Sequence, residues 1–81
     1  MEQKAIVVGP NIAKFRYQRG LTQEELSSKM QLAGCYMTRE ILALIETQHR
    51  GVTDIQLDYL SEVLGVPVTE FFPIRPRRGG K

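Results

Sequence analysis

Residues 21–46, LTQEELSSKMQLAGCYMTREILALIE, contain two helix starts separated by a turn. Thr22 and Glu25 make the T-x-x-E pattern of a capping box, in which each side chain accepts a hydrogen bond from the backbone amide of the other residue. Gly34 is suited to end the helix that follows. Thr38 is a second good N-cap, and an apolar segment follows it. The stretch therefore predicts two short helices joined by a turn, which is the outline of a helix-turn-helix unit with the second helix as the reader.

Helices are predicted on both sides of this unit. The first runs from about Pro10 to Arg19, because proline suits the first turn of a helix and a glycine follows at its end. The fourth starts at Thr53, which opens a T-x-x-Q box, and carries a leucine stripe that ends at Leu64. A last short helical turn is expected over Val68 to Phe72. The prediction is an all-α, compact five-helix domain.

Three segments are expected along the chain: an N-terminal arm over residues 1–8, the helical domain over residues 9–72, and a disordered basic tail over residues 73–81. The arm carries a short apolar run that ends at Val8 and suits a short strand or an extended segment. It can pair with a second copy of the chain, or Val8 can pack against the first helix. We favour the packing of Val8.

Positive charge is unevenly distributed along the sequence. Residues 1–72 contain 7 Lys and Arg against 9 Asp and Glu, whereas residues 73–81 contain 4 Lys and Arg and no acidic residue. If the partner is a nucleic acid, phosphate attraction must come from a few placed cations and from the tail.

Composition argues against several functional classes. No apolar run approaches the ~18 residues of a membrane span, and the N-terminus lacks a signal-peptide pattern. With one His and the single Cys35, we expect no metal site, no cofactor and no disulfide. No nucleophile or paired acidic cleft is recognisable, so we expect neither an enzyme nor a small-molecule substrate. The expected protein is soluble and cytoplasmic.

The start of the second helix of the unit carries side chains that suit DNA bases. Arg39 can present its guanidinium to guanine O6 and N7, Glu40 can accept from cytosine N4, and Leu44 can contact a thymine methyl group. A solvated first turn is the simpler interpretation of Arg39 and Glu40. Leu44 and Ile41 widen the apolar face beyond one side of a helix. This patch supports an alternative function, a protein-interaction or dimerisation module with little or no DNA binding.

Four segments together resemble the lambda-repressor-like, Cro-like (XRE) helix-turn-helix family of transcription regulators. They are LTQEEL at 21–26, the Thr38-Arg39 start, Ile45-Glu46, and GVPVTEFF at 65–72. The resemblance covers about residues 9–72. It implies a five-helix domain that binds double-stranded DNA, commonly as a homodimer on a two-fold operator.

The resemblance also implies roles for individual residues. An arginine of the first helix, Arg16, is expected to pair with Glu46 at the end of the reading helix. Contacts to the DNA backbone are expected from Gln23, Thr38, Thr47, Arg50 and Thr53, the last through free amides at its helix start.

This sequence departs from the family pattern in two respects. The turn before the reading helix, with Cys35 and Tyr36 expected to be partly buried in it, is longer than the usual three or four residues. Ile41 and Leu44 occupy positions that are usually polar.

Overall fold

The structure, a computed structural model, describes residues 8–73. The arm predicted over residues 1–8 and the disordered tail predicted over residues 73–81 lie outside the described residues, apart from Val8 and Pro73. Val8 is buried and joins the apolar core, as the packing hypothesis expects.

Four α-helices follow one another in the described segment, and no strand occurs between residues 8 and 73. They are α1 (Gly9–Gln18), α2 (Gln23–Ala33), α3 (Arg39–Glu46) and α4 (Asp54–Leu64). Among these residues, no helix has the length and apolar character needed to cross a membrane.

The prediction of a fifth helix is wrong, because Val68–Phe71 form a single 3₁₀ turn. The amide of Glu70 donates to the carbonyl of Pro67 at 2.9 Å, which is the i to i+3 bond of that geometry. Pro73 biases the preceding Phe72 towards extended backbone, and Phe72 has a ψ of 146°. The segment between the two prolines therefore has room for one turn only.

The helix boundaries follow the capping residues closely. Both predicted capping boxes are present, with Thr22 paired to Glu25 and Thr53 paired to Gln56. α2 ends at Gly34 in the left-handed conformation, with a φ of 108°. The hydroxyl of Thr38 accepts from the amide of Ile41 at 3.0 Å, so α3 begins on a side-chain cap as well.

One apolar core lies between the four helices and the 3₁₀ turn. The ring of Phe71 is fully buried and packs edge-on against Phe15, with 5.8 Å between the ring centroids. Among residues 8–73, the other large side chains that are fully buried are Ile12, Leu26, Met30, Met37, Leu42, Ile45, Leu60 and Leu64. Side chains from every helix form this core, which fixes α3 in place against α1 and α2.

Candidate nucleic-acid interface

The C-terminal end of α3 is tied to α1 by a buried ion pair. Arg16 donates from Nε to Oε2 of Glu46 at 2.7 Å and from Nη2 to Oε1 at 2.9 Å. The exposed fractions of the two residues are only 5% and 8%. Arg16 also donates from Nη1 to the carbonyl of Leu21, so all three nitrogens of the guanidinium have acceptors.

Gln23 joins the same network from the first residue of α2. Its side-chain amide donates to Oε1 of Glu46 at 2.9 Å. The hydrogen bond to Glu46, opposed by burial, raises the pKa of Arg16 above its ordinary value, so the guanidinium remains charged. Arg16, Gln23 and Glu46 therefore connect α1, α2 and α3 through one carboxylate.

The opposite end of α3 is open to solvent. Arg39 and Glu40 form an ion pair at 3.5 Å, with 55% and 73% of their side chains exposed. An exposed pair of this kind contributes little to stability, so either group can turn towards a new partner at small cost. The first turn is solvated, as the simpler interpretation expects, and it is also accessible to a base edge.

The apolar patch of the alternative hypothesis is smaller in the structure than in the sequence. Ile41 is half-buried and packs against the core, whereas Leu44 is 43% exposed. The core therefore accounts for one of the two side chains. Leu44 remains on the exposed surface of α3.

Thr38 and Thr47 flank α3, and both hydroxyls have partners within the chain. Thr38 caps the start of the helix. Thr47 donates to the carbonyl of Ala43 at 2.9 Å, and its oxygen lies 2.9 Å from Nδ1 of His49. Arg50 follows in the loop and is exposed, with no hydrogen bond or ion pair to any residue between 8 and 73. It is the free cation of this loop within the described chain.

The start of α4 differs from the expectation of free amides. The capping box uses the amides of Thr53 and Gln56, and the amide of Ile55 donates to Oδ1 of Asp54 at 3.0 Å. Side chains already satisfy these three amides, and the phosphate contact expected at the start of α4 stays a prediction. The Asp54 carboxylate also places a negative charge where a phosphate would approach.

Two contacts between helix ends and loops have no clear signal in the sequence. Gln48 has a φ of 68° and accepts from the amide of Gly9 at 3.0 Å. Arg19 donates to the carbonyl of Leu64 at 2.8 Å, at the end of α4. Glutamine is not a typical left-handed residue, and a long side chain on a helix end reads as solvated, so the pattern alone identifies neither contact.

Two short capped helices, with the second held at its C-terminal end and exposed at its first turn, define a helix-turn-helix domain. The chain is 36% identical over 64 residues to the uncharacterized HTH-type transcriptional regulator y4dJ of Sinorhizobium fredii, an alignment that covers 79% of this chain and 77% of the relative. No family model and no solved structure matches the chain. The chain belongs to the HTH-type transcriptional regulators.

Proposed function

We propose that this chain is a sequence-specific, double-stranded DNA-binding regulator of transcription that inserts the N-terminal end of α3 into the major groove. The observation that carries the proposal is the arrangement of the two ends of α3. One end is fixed by the buried Arg16–Glu46 pair, and the other presents Arg39 and Glu40 to solvent. A rigidly held helix with an open first turn suits base recognition.

In this proposal three side chains of α3 contact bases. Arg39 binds O6 and N7 of a guanine, Glu40 accepts from N4 of a cytosine, and Leu44 contacts a thymine methyl group one turn further on. The exposure of all three supports these roles. Because Arg39 and Glu40 pair with each other in the free protein, DNA binding exchanges that weak pair for contacts with bases.

Contacts with phosphates position the helix. Arg50 is the strongest of these ligands, because its guanidinium is exposed and has no partner in residues 8–73. Gln23 is the first residue of α2 and Thr38 is the N-cap of α3, so both lie beside the helix that would enter the groove. Thr47 and Thr53 complete the set. The Thr47 hydroxyl must first release its bond to the carbonyl of Ala43, whereas the Thr53 hydroxyl accepts in its cap and can still donate to a phosphate.

The resemblance to the lambda-repressor-like, Cro-like (XRE) regulators supports a homodimer on a two-fold operator. Two copies of α3 would then enter the major groove one helical turn apart, roughly 34–36 Å. The bound site is accordingly expected to be an inverted repeat with that spacing between half-sites.

The proposal is tested by selecting duplexes from a random library with the purified protein. We expect one enriched inverted repeat, and a binding constant for it that falls steeply as salt is raised. A library that yields no enriched sequence, or binding that is the same at low and high salt, would contradict the proposal.

A further inference from the structure

The lengthened turn between α2 and α3 contains an exposed tyrosine, and the residues on either side of it are buried. Tyr36 is 71% exposed, whereas Cys35 is 7% and Met37 is 0% exposed. Partial burial of both Cys35 and Tyr36 was expected from the sequence, and the expectation is wrong for Tyr36. Burial therefore alternates along these three residues, and with both neighbours in the core the tyrosine side chain is left on the outside.

Hydrogen bonds on both sides of Tyr36 fix the backbone of the turn. The amide of Cys35 donates to the carbonyl of Met30 at 2.9 Å, and the side-chain amide of Gln31 donates to the carbonyl of Met37. Thr38 then caps α3 immediately afterwards. The phenol is therefore presented from a braced segment, which lowers the entropy cost of placing it against a partner.

The position of Tyr36 along the chain places it next to the proposed reading end of α3. It lies two residues before the cap Thr38 and three before Arg39, the first residue of the helix. Its hydroxyl has no hydrogen-bond partner among residues 8–73. When the N-terminal end of a helix enters the major groove, the segment that leads into it passes the phosphates at the groove edge, and tyrosine hydroxyls are common donors to phosphate.

We infer that Tyr36 is a DNA-positioning residue whose hydroxyl donates to a phosphate at the edge of the groove that α3 enters. The inference rests on the proposed function and adds a role for the lengthened turn. A phosphate contact carries no sequence information, so Tyr36 sets the position of α3 on the duplex and leaves the choice of bases to α3 itself. An uncharged hydroxyl displaces no counterion, which separates this contact from that of a cation.

The test compares Tyr36→Phe with Tyr17→Phe in fluorescence-anisotropy titrations of the selected duplex and of an unrelated duplex. Tyr17 is a matched control because it is also 71% exposed but lies on α1, with its ring over the guanidinium of Arg16. We expect Tyr36→Phe to weaken binding to both duplexes roughly tenfold, with the melting temperature and the slope of log K against log salt unchanged. Tyr17→Phe should bind both duplexes like the wild type.

Arg50→Ala provides the contrasting result, because loss of a phosphate-bound cation should make the salt slope shallower by about 0.9. Affinities of Tyr36→Phe within twofold of the wild type on both duplexes would overturn the inference. So would unchanged DNA binding by Tyr36→Ala together with an altered sedimentation coefficient, since Tyr36 would then belong to an interface between proteins.

The experiments distinguish a failure of the inference about Tyr36 from a failure of the proposed function. If the wild type binds no duplex, the proposed function fails and the inference fails with it. If the wild type binds and Arg39→Ala changes its base preference while Tyr36→Phe has no effect, only the inference about Tyr36 fails.

Discussion

Arg16 is a buried cation whose charge is balanced by the single carboxylate of Glu46. Removal of one member of such a pair leaves the other charge buried without a partner. We expect Arg16→Ala to lower the free energy of unfolding by roughly 3–5 kcal/mol, measured by urea denaturation.

Arg19→Ala is the matched control for this change, since it removes a second arginine from the end of the same helix. Arg19 donates one hydrogen bond to the carbonyl of Leu64, so its loss should cost only about 1 kcal/mol. Equal melting temperatures for the two variants would contradict the account of the ion pair.

The thiol of Cys35 is buried in the core, and desolvation raises its pKa. We expect iodoacetamide to alkylate it slowly in the folded protein at pH 8 and much faster in urea, where the thiolate forms freely. The folded state holds this proton more tightly than the unfolded state. The contribution of the protonated thiol to the free energy of unfolding is therefore complete below the unfolded-state pKa, and it is lost as pH rises through the folded-state pKa. Equal alkylation rates in buffer and in urea would show that the thiol is not protected.

The close approach of α1 to the end of α3 depends on a residue without a side chain. A Cβ added at Gly9 would clash with the backbone carbonyl oxygens of Ile45 and Glu46, so backbone atoms would have to move. We expect Gly9→Ala to destabilise the fold by roughly 1–3 kcal/mol in urea denaturation, the usual cost of overpacking.

Gly51→Ala serves as the control for Gly9→Ala, because a Cβ at Gly51 would have no atom within 4 Å. Its unfolding midpoint should stay at or slightly above that of the wild type. A Gly9→Ala protein as stable as Gly51→Ala would mean that the two helices do not meet as closely as described.

The helices could be predicted wherever a local signal determines them. The boxes at Thr22 and Thr53 and the cap at Thr38 use side chains within three residues, so the sequence contains the whole interaction. The 3₁₀ geometry of the turn before Pro73 was harder to predict, because an apolar segment of that length suits either an α-helix or a 3₁₀-helix.

The surface of the helix-turn-helix unit was less predictable from the sequence, because it depends on packing between distant segments. Burial of Ile41 depends on the core beneath α3, and the outward position of Tyr36 depends on two buried neighbours. The Arg16–Glu46 pair joins residues 30 positions apart, and only the family resemblance indicated it. Long-range contacts of this kind leave little trace in spacing or propensity.

Residues 1–72 carry 7 Lys and Arg against 9 Asp and Glu, so the net charge of this part of the chain is negative and does not itself attract DNA. Most of the non-directional attraction should then come from the four cations of residues 73–81. We expect replacement of Arg75, Arg77, Arg78 and Lys81 by Gln to weaken binding equally on all duplexes and to make the salt slope shallower. Anisotropy titrations at several salt concentrations measure both effects, and an unchanged slope would contradict this role.

The proposed recognition of bases by α3 depends mainly on Arg39. The direct measurement is competition binding of Arg39→Ala against single-base variants of the selected duplex, with Lys14→Ala on α1 as the exposed-cation control. We predict that Arg39→Ala loses discrimination at one base pair, by about 1–3 kcal/mol, while Lys14→Ala retains it at every position. An Arg39→Ala protein with the wild-type preference at every base pair would contradict the claim.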